Sequence, residues 1–588
     1  MRRAAARAVS IALLASVTAG CLSGPAGTAD PAAIDARLSQ PLYDALAPVQ
    51  VRVPSFDGVE IDNWLFLPDA PAGVRVPVLI NFSPYWGNLA PPANTGGDAF
   101  GQYLVSYFVP RGYAVVLSSA RGTGASDGCF TIGGPGELDD MRAVVDRFAS
   151  EAWSNGAVGA GGKSYDGTMA QGLAVTGHPA VKAIFPVSPI SEFYKYSFVN
   201  GVPYEYYGYW FNPAYVALVG WGVDVPIPGE PTDVLRAADE LPPRPPSTYD
   251  GHLRAGDACR DLADVARAQY ETAATGDYTP YWQDRNYSAR AGDVRSDLGV
   301  FYVHGLGDWN VKPDHIEPWL DSLPRGTFVK AWLGQWPHEY PTRPDLNATL
   351  LRFFDHFLKG VDTDLLAEPR VQVESDDGVW RNEADWPPSR ATVTVLHLDA
   401  GEALSTAPGA GAASWVDDGR RVAGSIPGAN AAVWITPPLD APLHYAGIPH
   451  LGLDLEHTAS SGTVAAALYD VEGEGFDPRS ARLLDQGFLD LRHRASMEKG
   501  EPVVPGARMH VSFGMYPQDD VVPAGHRLAL LLTATGPEHP GVKIAPVASG
   551  GRTTVHFGEG SYLSLPVLAD DPARLESPQP GDVGCWLC

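Results

Sequence analysis

Ser164 stands between glycines in Gly162-Lys163-Ser164-Tyr165-Asp166-Gly167. The small, apolar run Ala157-Val-Gly-Ala-Gly leads into it, and a stretch of helical spacing from Thr168 to Thr176, closed by Gly177, follows. A chain that passes from strand to helix within so few residues must turn sharply, and flanking glycines permit that turn. The central side chain is then lifted above the edge of a sheet. The same alternation recurs on either side. Val76-Pro-Val-Leu-Ile-Asn-Phe and Tyr113-Ala-Val-Val-Leu-Ser-Ser read as buried strands, and Leu138, Met141, Val144, Val145 and Phe148 fall on one helical face. Val181-Lys-Ala-Ile-Phe-Pro is the next strand. Strands alternating with helices predict a largely parallel sheet covered on both faces.

Other segments predict what surrounds that sheet. Val49-Gln-Val-Arg-Val-Pro and Val59 to Leu67 alternate apolar and polar residues around Asp57-Gly58, the pattern of an antiparallel hairpin. From 191 to 290 the alternation gives way to an aromatic, polar stretch, which predicts an inserted cap over the site. The sheet resumes at Leu298-Gly-Val-Phe-Tyr-Val-His and Thr327-Phe-Val-Lys-Ala-Trp-Leu, and Thr349 to Leu358 reads as a closing helix ended by Gly360. Beyond 366, short strands separated by Gly and Pro turns predict a β-sandwich. The expected order is a leader over 1–21, a first core segment over 35–190, the cap over 191–290, a second core segment over 291–365 and the sandwich over 366–588. A chain of 588 residues is too long for one core, in keeping with this division.

Ser164 is followed by Asp308, in His304-Gly-Leu-Gly-Asp-Trp-Asn, and His338, in Gly334-Gln-Trp-Pro-His-Glu-Tyr. Ser, Asp, His is the chain order of the α/β-hydrolases, and each residue follows a predicted strand. A serine hydroxyl becomes nucleophilic when an imidazole takes its proton and fixed donors await the oxyanion. His338 would be the base, Asp308 its orienting partner, and the Tyr165 N–H one oxyanion donor. The phenol of Tyr85, in Pro84-Tyr85-Trp86-Gly87, is the candidate second donor, and Trp86 beside it a candidate wall for substrate. A rival reading takes Gly159 to Ser164 as most of a phosphate-binding loop, with Ala157 where the first glycine belongs. It leaves Asp308 and His338 without a role. No zinc-protease spacing occurs among the 15 histidines, so neither a metal nor another cofactor is expected. His304 reads as packed, and His315 and His356 as structural. Arg121-Gly-Thr-Gly-Ala-Ser-Asp-Gly128 reads as a tight turn, with Arg121 and Asp127 paired.

Lys and Arg number 42 against 69 Asp and Glu, a formal charge of -27. Such a surface repels phosphate backbones, so nucleic acid is not an expected partner. Arg2, Arg3 and Arg7 precede the apolar run Val9 to Val17 and then Thr18-Ala-Gly-Cys21, the layout of a secretory leader. Two outcomes are open, cleavage near Ala19 or acylation of Cys21 to a lipid anchor, and both place the protein outside the cell membrane. In an oxidising compartment Cys129 and Cys259 could pair, as could Cys585 and Cys588.

Several strings together resemble the X-Pro dipeptidyl-peptidases and their cocaine-esterase-like relatives. They are Gly162-Lys-Ser-Tyr-Asp-Gly-Thr-Met-Ala, His304-Gly-Leu-Gly-Asp-Trp-Asn-Val-Lys-Pro, Pro84-Tyr85, Arg121 to Gly128, Arg285-Asn-Tyr and Phe354-Asp-His-Phe-Leu-Lys-Gly. Asp377-Gly-Val-Trp-Arg and Trp386-Pro-Pro resemble the start of the family's C-terminal jelly roll. The resemblance implies an α/β-hydrolase core with a helical cap and a jelly-roll sandwich. It carries over nucleophile Ser164, acid Asp308, base His338 and oxyanion donors Tyr85 and Tyr165. The long N-terminal domain of lactic-bacterial members has no counterpart, so their oligomeric state does not carry over.

The expected activity is release of X-Pro dipeptides through a Ser164 acyl-enzyme. The alternative is an esterase or amidase of the cocaine-esterase or α-amino-acid ester hydrolase type, which the acidic Asp166 after Ser-Tyr favours. A third reading is a surface- or carbohydrate-binding protein dominated by its sandwich. A dipeptidyl-peptidase needs an apolar pocket for proline and a carboxylate for the substrate ammonium, since a desolvated cation without a counter-charge is costly. Asp166, Glu192 and Glu205 are the candidate carboxylates. Tyr204, Tyr206, Tyr207, Tyr209 and Trp210 are candidates for ring packing and cation–π contact, or simply pack the cap.

Overall fold

The computed structural model describes residues 37–86, 100–204, 272, 274–419, 430–537, 544 and 549–569. Two β-structures organise them. The first is a ten-stranded sheet in the order β1-β2-β4-β3-β5-β6-β9-β10-β11-β12. Its leading hairpin is β1 (Val49–Pro54) with β2 (Glu60–Phe66), antiparallel as the alternation predicts. Next come β3 (Val76–Ser83), β4 (Ala114–Ser119), β5 (Ser154–Lys163) and β6 (Val181–Val187), which pair in parallel. The short pair β7 (Phe198–Val199) and β8 (Val202–Pro203) lies apart as its own two-stranded sheet. Then β9 (Gly299–Gly305) and β10 (Phe328–Gly334) extend the parallel array.

Every residue of β3, β4 and β9 is buried, as the continuous apolar runs require of strands covered on both faces. Short helix α1 (Phe100–Tyr103) precedes β4, α2 (Pro135–Ala149) precedes β5, and α3 (Tyr165–Ala174) follows it. One core lies under α2 and α3, with Leu138, Val144, Met169 and Leu173 against Val78, Ile80 and Val158. On the opposite face the helix Leu346–Lys359 presents Leu350, Phe353 and Phe354 to Leu79, Phe185 and Phe301. Gly360 ends that helix in the left-handed conformation (φ 70°).

Two expectations need correction. β11 (Val371–Glu374) and β12 (Trp380–Glu383), read as the start of the sandwich, belong to the first sheet. β11 pairs in parallel with β10 and in antiparallel with β12. The sandwich strands begin at Thr392 and form a thirteen-stranded, mostly antiparallel array around Trp415, Trp434, Leu453 and Leu530. Arg121 and Asp127 do not pair. Gly122 N–H closes the turn onto Asp127 O at 2.8 Å, while the Arg121 guanidinium is taken by Asp140 of α2 at 2.6 and 2.7 Å. Asp127 instead meets Arg52 of β1 at 2.8 Å.

Of the cap, the described residues are its two ends. Helix α4 (Phe193–Ser197), β7 and β8 form the outgoing end, and Thr272 to Tyr287 the returning one. Tyr194, Phe198, Tyr278 and Trp282 cluster there, Tyr194 stacked on Phe198 and the other pairs edge to face, with ring centroids 5.2 to 6.0 Å apart. Outgoing and returning chain are joined by Tyr287 N–H to Ser191 O at 2.9 Å and Tyr194 OH to Gly276 O at 2.5 Å.

Candidate active site

Because β5, β6, β9 and β10 are neighbours and parallel, everything that follows their last residues gathers at one edge of the sheet. Ser164 leaves β5 with φ 61° and ψ -124°, a conformation rarely adopted by a residue with a side chain. Its N–H is held by Val187 O of β6 at 2.9 Å, and its carbonyl accepts from Thr168 N–H at 2.9 Å, so α3 starts at once. The glycines are required by close approach. A Cβ on Gly162 would overlap Asp166 Cβ, and one on Gly167 would lie 2.7 Å from Gly162 O and 2.9 Å from Val187 O.

Tyr165 opens α3, and its amide is the donor that the elbow geometry assigns to an oxyanion. Its buried phenol braces the turn: OH donates to Glu137 Oε2 at 2.6 Å and accepts from Gly133 N–H at 2.7 Å. Burial raises both the Glu137 carboxyl and the Tyr165 phenol, the latter well above its ordinary value. Nothing in the sequence marked Glu137, which sits three helical positions before Asp140 and looks like a surface acid.

Asp308 and His338 come together as the chain order predicts. Asp308 Oδ2 lies 2.7 Å from His338 Nδ1, and Oδ1 accepts from Asn310 N–H and Val311 N–H, each at 2.9 Å. The carboxylate is wholly buried, while the imidazole keeps an exposed edge. Burial by itself would raise the Asp308 carboxyl. The adjoining His338 outweighs it, with smaller help from His304 and the Val311 amide, and holds the group below its usual range. Gly305 makes this meeting possible, because a Cβ there would overlap the Trp336 carbonyl oxygen as the His338 loop crosses the end of β9. Lys163 ties that loop to the strand that leads into Ser164: Nζ donates to His338 O at 3.4 Å and Glu339 Oε2 at 3.3 Å. Ser164 and His338 are thus carried on segments bonded to each other through the residue beside the serine. In the rival reading Lys163 would reach a phosphate; here it is committed to His338 and Glu339.

The remaining predicted residues are placed as follows. Tyr85 is half-buried on the loop leaving β3, its amide donating to Ser83 Oγ at 3.1 Å. Trp86 is buried in the core that includes Leu117 and Phe100, its ring where a Cβ on Gly101 would fall. Asp166 is buried beneath the elbow and accepts from Asn81 Nδ2 at 3.1 Å. Glu192 lies at the start of α4 on the same rim of the sheet, 9% exposed; burial raises its carboxyl. Glu205, Tyr207 and Trp210 lie outside the described residues. His304 is packed, its Nε2 2.9 Å from Val311 O and its Nδ1 3.0 Å from Tyr302 OH. Cys129 is disulfide-bonded, its partner outside the described residues. Among the described residues no group of His, Cys, Asp and Glu is arranged to hold a metal ion, and no helix is long and apolar enough to cross a membrane.

Fold and site define a class: a serine hydrolase on an α/β-hydrolase core, with a C-terminal β-domain attached. Residues 57–340 match the family model for the X-Pro dipeptidyl-peptidase (S15 family), and residues 364–572 that for the X-Pro dipeptidyl-peptidase C-terminal non-catalytic domain. The chain thus carries both an S15-type X-Pro dipeptidyl-peptidase domain and the C-terminal domain that goes with it. A putative Xaa-Pro dipeptidyl-peptidase of Streptomyces avermitilis is 29% identical over 540 residues, covering 79% of this chain and 74% of that protein. A CocE/NonD family hydrolase from Staphylococcus aureus superposes with a TM-score of 0.68 at 17% identity, over 88% of this chain and 93% of the other. An α-amino acid ester hydrolase superposes with a TM-score of 0.66 at 19% identity, over 94% of this chain and all of the other (100%).

Proposed function

We propose that this protein is an exported serine peptidase that releases X-Pro dipeptides from peptide amino termini. The observation that carries the chemistry is the buried Asp308 carboxylate, 2.7 Å from His338 Nδ1, on the same edge of the sheet as a serine held in an elbow conformation. With Nδ1 donating to Asp308, the Nε2 lone pair faces outward to take the Ser164 proton. Ser164 Oγ attacks the carbonyl carbon of the proline, and the oxyanion is met by the Tyr165 amide and the Tyr85 phenol. His338 then gives its proton to the departing amine, leaving the X-Pro acyl group on Ser164. Water, deprotonated by His338, attacks that ester; the dipeptide acid leaves and Ser164 recovers its proton.

The substrate class is supported by the match of residues 57–340 to the X-Pro dipeptidyl-peptidase model and by the similar Xaa-Pro dipeptidyl-peptidases. Glu192, at the start of α4 on the base of the cap, is the described carboxylate we assign to the substrate ammonium. Export is supported by the leader-like amino terminus and by the disulfide at Cys129, a bond that persists in oxidising compartments. Lipid attachment at Cys21 would further fix the protein to the membrane surface.

The test compares Gly-Pro anilide, acetyl-Gly-Pro anilide and simple aryl esters on the wild-type protein and Ser164→Ala. A strong preference for the free-amine anilide, abolished in Ser164→Ala, is expected. Equal turnover of the blocked anilide would refute the dipeptidyl specificity, and dominant ester turnover would favour the ester-hydrolase reading. Activity that survives in Ser164→Ala would refute both.

A further inference from the structure

Lys312 lies in Asp308-Trp309-Asn310-Val311-Lys312-Pro313, the run that carries the triad carboxylate, yet acyl transfer makes no direct use of it. Its side chain is wholly buried. Nζ donates to Tyr196 O at 3.0 Å and stands 4.1 Å from the Tyr204 ring centroid. An ammonium removed from water persists only where fixed partners offset the loss, and here a carbonyl and an aromatic face do so. The same two tyrosines grip the near end of the run. Tyr204 OH donates to Trp309 O at 2.8 Å, and Tyr196 OH to Asn310 Oδ1 at 3.1 Å. Asn310 and Val311, between those grips, supply the two amides that orient Asp308. Tyr204 is itself wedged among Val202, Tyr516 and Ile544, where cap base and sandwich meet.

We propose that Lys312 is a positioning residue. With Tyr196 and Tyr204 it locks the Asp308 loop to the base of the cap, so that the carboxylate presents to His338 in the orientation the triad needs. The proposal rests on the serine-hydrolase reading of the site and adds a dependence of the triad on the cap base. The charges facing the ammonium are Asp314 and Asp308, which favour it, and Lys195 of α4, which opposes it. His315 follows on the same segment, Glu192 lies nearby on the cap base, and Tyr516 faces Tyr204 and Asp314 from the sandwich. Burial dominates and brings Lys312 down to about 8. Its charge, and with it the hold of the Tyr204 ring, is therefore lost as pH rises through that value.

A purely structural role and a positioning role predict different outcomes for Lys312→Met. Removing the buried ammonium leaves Asp314 and the Tyr196 carbonyl without it and costs stability under either role, whereas a displaced orienting group also costs about 10²-fold in rate. The readout is the rate at which an aryl fluorophosphonate labels Ser164 in the full chain between pH 6 and 10, beside thermal unfolding. This reports the triad without assuming a substrate. In the wild type the rate is expected to fall above pH 8. In Lys312→Met the expected rate is about 10²-fold lower at pH 7, with no alkaline decline, in a protein that thermal unfolding shows still folded at the assay temperature. A wild type that resists labelling would refute the hydrolase reading itself. A labelled wild type whose Lys312→Met partner keeps both rate and pH profile would overturn the positioning role alone. Should Lys312→Met fail to fold, Tyr204→Phe decides, because it removes the bond to Trp309 O and keeps the ring beside Lys312. A labelling rate reduced about three- to tenfold, as for one lost hydrogen bond, supports the lock, and an unchanged rate overturns it.

Discussion

Replacing Asp308 by Asn exchanges one oxygen for an NH2 and leaves the shape of the site alone. The amide has little choice of orientation. Two N–H donors, of Asn310 and Val311, face Oδ1 at 2.9 Å, so the carbonyl oxygen must stay there. The NH2 is then directed at His338 Nδ1, 2.7 Å from the atom it replaces. Nδ1 must accept that bond, which moves the imidazole proton to Nε2, the atom that has to receive the Ser164 proton. A base in the wrong tautomer costs about 10⁴-fold in kcat. At ~1.36 kcal/mol per decade, that is roughly 5 kcal/mol of transition-state stabilisation. The assay is turnover of a free-amine Gly-Pro anilide at pH 7, with KM expected to change little because the substrate-binding surfaces are untouched. Stability adds an independent check. Asp308 is held below its ordinary pKa in the fold, so its ionised form contributes stability that is present above the unfolded carboxyl's pKa of about 4 and lost as pH falls through the folded value. The melting-temperature deficit of Asp308→Asn is therefore greatest near neutrality and shrinks in acid. A folded Asp308→Asn protein with kcat within tenfold of wild type would refute the assignment of the pair.

Gly305→Ala places a Cβ against the Trp336 carbonyl and pushes the His338 loop off the end of β9. A fall of about 10²-fold in the Ser164 labelling rate is expected, and an unchanged rate in a folded variant would show that the crossing does not set His338. Arg381 of β12 is buried between Glu383 at 2.8 Å and the sandwich carboxylate Asp519 at 2.8 Å. Arg381→Met strands both acids, leaving Arg390 on Glu383 and His444 on Asp519, so the loss should be near the low end of about 3–5 kcal/mol. A urea midpoint that does not move would refute a structural role for this ion group.

The elbow was legible because its demands are local: a strand, a serine between glycines, and a helix occupy one continuous stretch. The order of Ser164, Asp308 and His338 was legible for a different reason, since each follows a strand whose apolar run is unmistakable. What escaped was decided by pairing across the fold. Val371-Gln-Val-Glu and Trp380-Arg-Asn-Glu alternate like any strand, and only the free edge of β10 makes them the end of the first sheet. Arg121 has acids before and after it in the chain, and the approach of α2 selects Asp140 over Asp127. Trp86 and Asp166 carry groups suited to a binding surface, but the backbone aims one into the core beside Gly101 and the other at Asn81. Lys163, read against a phosphate loop, revealed nothing of its contact with His338, because that contact spans 175 positions.

The two ends of the cap close on each other before the chain departs into it. Tyr287 is bonded to Ser191 and Tyr194 to Gly276, and four aromatic rings fill the gap between them. Such a collar lets the residues it encloses diverge without loosening the scaffold below. Changes confined to the enclosed stretch would then leave to the collar the task of keeping the machinery in register.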